Sequence, residues 1–219
     1  MSNRVRIIYR MRLGDVVRCL PIARYFYERE HEVELECSPE YHGVQSLIGY
    51  ALLVPPNHPL EPGTRVLDLQ IWPKRAEDFE ASGLTWQRYI PTLFPEGPQI
   101  DFNRILFDRL PPTPDRITEE ALCFPQGYSQ RFAHHPGVIF DVAHQLFKGV
   151  PVVAMGPGYH MDPSIFEYAR RIQRARHVLT INSSASIFAS AVRASWHHVV
   201  SRHPNEEWHD PRQIRIDIK

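Results

Sequence analysis

Residues 5–17 read VRIIYRMRLGDVV, and this stretch indicates a strand that runs through a short loop into a helix. Its β-branched, apolar start predicts a strand over Val5–Tyr9. Apolar residues then recur at helical spacing, which predicts a helix that runs to about Glu30. Pro21 lies inside this segment, so we expect a kink there. A strand followed by a helix is the first step of an alternating β–α pattern.

The same alternation continues along the chain. Further strands are predicted over 32–37, 51–54, 65–69, 121–124, 150–155, 177–181 and 196–201. Residues 213–219 are predicted to form either an edge strand or an arm across another surface. Helices are predicted around 41–48 and 86–93, within 102–110, and after Pro136, Asp162 and Asn182. Strands that alternate with helices are typical of parallel α/β sheets with right-handed crossovers.

Proline is the outlier of the composition, with 20 of 219 residues, and it suggests a domain boundary. Residues 95–116 carry Pro95, Pro98, Pro111, Pro112 and Pro114, which favours a linker. We therefore predict two small Rossmann-like domains with parallel sheets, 1–110 and 111–219, that face a central cleft.

Charge and cysteine content exclude several classes of protein. Lys plus Arg and Asp plus Glu are each 25, so the net charge is zero and a generic basic nucleic-acid-coating protein is disfavoured. Cys19, Cys37 and Cys123 are isolated, which indicates a reduced, cytoplasmic location and neither a disulfide framework nor a zinc ribbon. No apolar run approaches the roughly 20 residues of a membrane-spanning helix.

Asp15 is the first candidate site residue, because ligands of parallel α/β sheets bind beyond the carboxyl ends of the strands. A carboxylate there can act as a general base that takes a proton from an attacking hydroxyl. The alternative is that Asp15 is the N-cap of the helix that follows. Both roles are compatible.

A second candidate loop follows the strand that ends at Phe124. Gly127, Ser129 and Arg131 could cradle a phosphate through backbone N–H groups, a hydroxyl and a cation. The alternative is a polar surface loop, since neither a Walker sequence nor G-x-G-x-x-G is present.

The third candidate loop contains Asn182, Ser183 and Ser184, between a strand and a helix. Amides and hydroxyls at a helix N-terminus can bind an anion. The alternative is simple capping by Asn182.

Arginines surround the first strand: Arg4, Arg6, Arg10, Arg12 and Arg18. The first three share strand parity and so lie on one face. They form either a solvated face or a positive rim that attracts a phosphorylated acceptor or a nucleic-acid backbone.

The loop order resembles a known family. The sequence RLGDVV at 12–17, a helix that ends in YFYER, then VEL at 33–35 and SPEY at 38–41 resemble the opening of the ADP-heptose:lipopolysaccharide heptosyltransferases, glycosyltransferase family 9. Residues 124–127, 150–158 and 172–191 are similar to later segments of that family in the same order.

This resemblance implies a GT-B fold with the acceptor on the first domain and a nucleotide-sugar donor on the second. It implies metal-independent transfer, which agrees with the absence of a D-x-D sequence. It makes Asp15 the general base, with Gly14, Arg10, Arg12 and Arg18 on the acceptor side. The donor diphosphate is expected at Gly127, Ser129, Arg131 and Asn182–Ser184, with no cofactor besides the donor.

Two alternatives stay open at this stage. The family's D-S-G-P-x-H sequence is replaced by SSASI at 183–187, which also fits a degenerate nucleotide-binding or scaffold protein. For an active enzyme, the acceptor is a glycan such as lipopolysaccharide, or a hydroxylated DNA base.

Overall fold

The computed structural model describes residues 3–112, 114–126, 135–156, 158–181, 183–192, 197–200 and 213–216. The chain divides into two units, Met1–Arg109 and Leu110–Lys219. Each unit contains one parallel sheet with helices packed on it, so the expected α/β class with two Rossmann-like units is confirmed. Among the described residues, no helix has the length and apolar character needed to cross a membrane.

Unit 1 contains a four-stranded sheet. Its strands are β1 Arg4–Ile8, β2 Glu32–Glu36, β3 Leu52–Val54 and β4 Arg65–Asp68. The order is β3-β2-β1-β4, and all neighbours are parallel. The four strands predicted from the sequence are therefore confirmed.

The helices of unit 1 are short. They are α1 Leu13–Arg18, α2 Leu20–Tyr27, α3 Ala76–Ser82 and α4 Trp86–Tyr89, with 3-10 helices at Pro39–Leu47, Ile90–Leu93 and Gly97–Gln99. The expected kinked helix is two helices that break at Cys19. Pro21 lies in the first turn of α2, where a missing N–H costs little.

The helix expected within 102–110 is wrong. The Asp101 carboxylate accepts a hydrogen bond from the Asn103 N–H at 3.0 Å, and the Asp101 carbonyl accepts one from the Arg104 N–H at 3.1 Å. Aspartate that bonds the backbone two residues on favours a turn over a helix. The sequence pattern does not predict α3, none of whose residues is buried.

The two faces of the unit 1 sheet differ. One face is apolar: Val5, Ile7 and Leu35 are fully buried, as are Ile22 and Phe26 of α2 to within 1%.

The other face carries an alternating set of charges, here called the Arg–Glu ladder. Its members are Arg4, Arg6 and Arg10 with Glu32, Glu34 and Glu36.

A solvated arginine face is wrong for Arg6, whose side chain is 3% exposed. Its guanidinium lies 2.6 Å from the Glu34 carboxylate. It also donates to the carbonyls of His58 at 2.8 Å and Pro59 at 2.7 Å. The proline-rich loop 55–64 therefore binds the ladder from outside the sheet.

Unit 2 contains a five-stranded sheet. Its strands are β5 Thr118–Phe124, β6 Val152–Ala154, β7 Ala175–Ile181, β8 His197–Val200 and β9 Gln213–Ile216. The order is β6-β5-β7-β8-β9, again parallel throughout. The expected edge strand at the end of the sequence is confirmed as β9.

Helices pack on both faces of this sheet. They are α5 Pro136–Leu146, α6 Ile165–Arg174 and α7 Ser184–Val192. Ile139 and Ala143 of α5 pack with Cys123 and Ile181 on one face. On the other face, Tyr168 of α6 contacts Phe124 of β5 and Phe188 of α7, with ring centroids 5.7 and 5.2 Å apart.

Candidate active site

Asp15 is the third residue of α1, not the residue before it. The N-cap position belongs to Arg12, whose side chain makes no capping hydrogen bond. The interpretation of Asp15 as the N-cap is therefore wrong. Its carboxylate instead accepts a hydrogen bond from the Arg12 backbone N–H, as a carboxylate at the third helical position does in a capping box.

Burial sets the protonation behaviour of Asp15. Its side chain is 19% exposed, and the loss of solvent raises its pKa above the usual aspartate range. The Arg18 guanidinium, 3.9 Å from the carboxylate, and the Arg12 cation oppose this effect without cancelling it. A carboxylate with a raised pKa is a stronger base, which suits proton abstraction near neutral pH.

Two aromatic residues support this corner of unit 1. The Arg18 Cζ atom lies 5.5 Å from the centroid of the Trp86 ring. The Trp86 Nε1–H donates to the Tyr9 hydroxyl at 2.9 Å, and Tyr9 is fully buried. Neither residue is predicted from the sequence to be functional. The position of Tyr9 directly after β1 could have indicated that it belongs to the site. Nothing in the sequence indicates this for Trp86, because the fold brings it to this corner from a distant segment.

Tyr41 also belongs to this site. It lies in the 3-10 helix after β2, and burial raises its pKa to about 12, with contributions from Glu40 and the Asp15 carboxylate. The phenol therefore stays protonated at neutral pH and can donate a hydrogen bond. The 3-10 helix that carries Tyr41 contacts α1, so the segments after β1 and β2 meet at one edge of the sheet.

The four predicted acceptor-side residues differ in their surroundings. Arg12, Gly14 and Arg18 lie in or next to α1, alongside Asp15. Arg10 donates to the Glu36 carboxylate at 2.6 Å and belongs to the Arg–Glu ladder. Its charge is therefore balanced within the protein.

Part of the predicted donor site lies outside the described residues, namely Gly127, Ser129, Arg131 and Asn182. Ser183 and Ser184 are described, at the start of α7. The Ser183 hydroxyl accepts from the Ala185 N–H at 3.3 Å, and its carbonyl accepts from the Ser186 hydroxyl at 2.7 Å. Ser183 thus performs capping, the role expected of Asn182.

The segments after β5 and β6 approach each other in unit 2. A Cβ atom on Gly156 would lie 3.5 Å from the Gln126 carbonyl oxygen, and one on Gly158 would lie 3.5 Å from the Gln126 Nε2 atom. Both glycines have positive φ, 103° and 77°. They allow a tight turn directly beyond the carboxyl end of β6, where parallel sheets bind ligands.

Within the described ranges, no group of three or more His, Cys, Asp or Glu side chains is arranged to hold a metal ion. The donor types that bind iron or zinc therefore do not converge in this part of the chain.

Comparison with known proteins gives matches at the level of structure. No family model matches the sequence, and no curated protein matches it. The iron-containing dodecameric glycosyltransferase TibC of enterotoxigenic E. coli H10407 has a TM-score of 0.65 and 16% identity, over 96% of this chain and 61% of TibC.

Two further solved structures share the fold. A family 9 glycosyl transferase of Veillonella parvula DSM 2008 has a TM-score of 0.59 and 11% identity, over 98% of this chain and 86% of its own. The E. coli heptosyltransferase WaaC, solved with ADP, has a TM-score of 0.54 and 13% identity, over 99% of this chain and 91% of its own.

This chain spans 61% of the length of TibC. The similarity extends over nearly all of this chain and includes both units. The resemblance inferred from the order of the loops is therefore confirmed for the fold: the chain has the fold of the family 9 glycosyltransferases.

Proposed function

We propose that this chain is a metal-independent glycosyltransferase that moves a sugar from a nucleotide-sugar donor to a hydroxyl acceptor. One observation carries the proposal: Asp15, a carboxylate with a raised pKa, lies beyond β1 beside Arg18 in a chain with a glycosyltransferase fold. In α/β sheets this position is where ligands bind.

The reaction follows from the chemistry of these groups. Asp15 takes the proton of the acceptor hydroxyl, and the hydroxyl oxygen attacks the anomeric carbon of the donor. The bond between that carbon and the diphosphate oxygen breaks, and the nucleoside diphosphate leaves. Gly127, Ser129, Arg131 and the start of α7 are our candidates for binding the developing negative charge. WaaC, solved with ADP, supports a nucleoside diphosphate as the leaving group.

A metal has no assigned role in this mechanism. TibC is iron-containing, but the described residues of this chain offer no converging ligands for iron. We expect turnover to survive dialysis against EDTA and to be unchanged by added iron or Mg²⁺. Loss of turnover with EDTA, restored by one metal, would contradict metal independence.

Among the acceptors, a glycan is favoured over a hydroxylated DNA base. Three of the five arginines expected to attract a phosphate backbone, Arg4, Arg6 and Arg10, are paired with glutamates in the Arg–Glu ladder. A DNA-binding face needs unpaired cations, and its affinity falls steeply with salt. Binding of duplex DNA that weakens tenfold or more between 50 and 200 mM salt would instead favour the DNA base.

The cytoplasm is the compartment we propose. Cys19, Cys37 and Cys123 are all buried free thiols, as expected of a protein in a reducing environment.

A degenerate nucleotide-binding protein is the second candidate. Ser183 and its neighbours replace the family's D-S-G-P-x-H sequence, and its hydroxyl is occupied in capping α7. A thermal-shift series with nucleoside diphosphates and their sugars, followed by an assay of donor hydrolysis, separates the two candidates. Binding without turnover supports the degenerate protein.

The Asp15→Asn variant tests the catalytic role. Asparagine has the same shape but cannot accept the proton, so we expect transfer to fall by about 100-fold or more. Donor binding should be unchanged. Asp141→Asn, an exposed carboxylate on α5, is the matched control and should retain full activity. Unchanged turnover of Asp15→Asn would exclude Asp15 as the base.

A further inference from the structure

We propose that Trp86 is a positioning residue of this site: held by Tyr9, its ring fixes the Arg18 guanidinium beside Asp15. The inference rests on the proposed function only where it concerns catalysis. The effect of Trp86, Tyr9 and Arg18 on the Asp15 pKa can be measured in the absence of turnover.

Trp86 is held from two sides. Its indole N–H donates to the Tyr9 hydroxyl at 2.9 Å, and the two rings meet edge to face with centroids 5.9 Å apart. Phe102 packs against it at 6.4 Å. Only 9% of Trp86 is exposed. A buried tryptophan whose N–H is bonded and whose ring has an edge contact has one orientation.

Arg18 uses this ring as a support. Its Cζ atom lies 5.5 Å from the Trp86 centroid, within the range of a cation–π interaction. A guanidinium on a long, flexible stem otherwise samples many rotamers, and stacking on an aromatic face restricts them. The same guanidinium lies 3.9 Å from the Asp15 carboxylate. Trp86 therefore acts on Asp15 through Arg18.

The groups that face Asp15 can be divided by charge. Burial raises the pKa of Tyr9 and of Cys19, and burial raises the pKa of Tyr41 to about 12, so all three are neutral at working pH. Arg12 and Arg18 are the cations that act on the Asp15 pKa. Arg12 is exposed and screened by solvent, whereas Arg18 is largely buried. The position of Arg18 therefore influences the Asp15 pKa more than the position of Arg12 does.

Loss of the Trp86 ring has a predictable direction. Without the ring, Arg18 loses one of the contacts that hold it beside Asp15. As it moves away, burial acts on Asp15 with less opposition, and the Asp15 pKa rises further. The fraction of ionised base then falls at acidic and neutral pH and is restored at higher pH.

The experiment compares Trp86→Leu with the matched variant Trp86→Phe, which keeps an aromatic face. The pKa of Asp15 is read from the ¹³C resonance of its carboxyl in the whole, donor-free protein. The pH profile of kcat/KM is measured in parallel. We expect Trp86→Leu to raise the Asp15 pKa and to shift the pH profile of kcat/KM to higher pH. On the acidic side kcat/KM should fall by about three- to tenfold, and at the alkaline plateau it should equal the wild-type value. Trp86→Phe keeps an aromatic face but loses the hydrogen bond to Tyr9, so it should shift in the same direction by clearly less than Trp86→Leu.

A uniform loss at every pH, with an unchanged Asp15 titration, would show a merely structural role and overturn the proposal. If Trp86→Leu does not fold, Tyr9→Phe decides, because it removes only the hydroxyl that orients the indole. A raised Asp15 pKa in Tyr9→Phe supports the proposal, and an unchanged one overturns it. If the wild-type protein shows no transfer, the proposed function fails, but the carboxyl titration still decides this inference.

Discussion

The sheets of the two units are both parallel, but they differ in what covers their second face. In unit 2, α5 packs on one face and α6 with α7 on the other. In unit 1, α2 covers one face, and loop 55–64 lies against the other. The covered residues differ accordingly: aromatic and aliphatic side chains beneath α6, and the Arg–Glu ladder beneath the loop.

The connection between two strands explains this difference. From β3 to β4 the chain must pass over β2 and β1, and a right-handed crossover places it on the face opposite α2. Four prolines in 55–64 prevent a helix there. An irregular backbone presents carbonyls that need donors, and Arg6 supplies them. A helix such as α6 satisfies its own backbone and presents side chains instead. The backbone of the covering element therefore determines the polarity of the strand beneath.

The largest effect is expected from Arg6→Met, which should lower the free energy of unfolding of unit 1 by about 3–5 kcal/mol. The change leaves the buried Glu34 carboxylate without its nearest cation and removes the donors to the His58 and Pro59 carbonyls. Urea denaturation monitored by hydrogen exchange in β1 measures it. Arg4→Met is the control, because its nearest partners Glu32 and Glu61 are largely exposed and it lies 3.8 Å from Glu34, so its cost should be clearly smaller. Equal costs would mean that the loop does not bury the ladder.

An intermediate effect is expected from Ile172→Val on α6, at about 1 kcal/mol. Ile172 is fully buried, so the loss comes from a methylene and its contacts. Since no charge is involved, the change in unfolding free energy should be the same at 50 and 500 mM salt. A strong salt dependence would contradict an apolar second face in unit 2.

The smallest effect is expected from Glu96→Gln, below about 1 kcal/mol at neutral pH. Arg65 donates twice to Glu96 at 2.7 Å, and this hydrogen bonding lowers the Glu96 pKa below its usual value. A lowered folded-state pKa stabilises above the unfolded-state pKa, and the gain is lost as pH falls through the folded value. The difference between variant and wild type in urea should therefore vanish in acid. A cost as large as that of Arg6→Met would show that burial does not set the strength of these pairs.

The sequence predicts the alternation of elements well, because each strand and most helices have a local pattern. Runs of β-branched residues are enough to predict the strands at Val5–Tyr9 and 177–181. The burial of Arg6 could not be predicted, since it depends on a loop that returns from fifty residues away. The alternating glutamates of β2 were the matching signal, and their complementarity to Arg4 and Arg6 becomes visible only when the two strands are paired.

The candidate site shows the same division. Asp15 and its loop are recognisable from their position after β1, whereas its environment is assembled from segments far apart in the chain. Trp86 begins a four-residue helix, and no periodicity marks it as a support for Arg18. Local sequence therefore predicts the proposed base, and tertiary contacts determine its surroundings.

The Arg–Glu ladder also specifies how β1 and β2 align during folding. In the native register, Arg4 is opposite Glu32 and Arg6 is opposite Glu34. A slip by one residue would set Arg6 against Val33 or Leu35 and turn the charges of one of the two strands toward the apolar core beneath α2. A slip by two would keep opposite charges together but move Arg6 away from the carbonyls of His58 and Pro59. Charge pairing on one face of this sheet and apolar packing on the other thus favour the same alignment of β1 and β2.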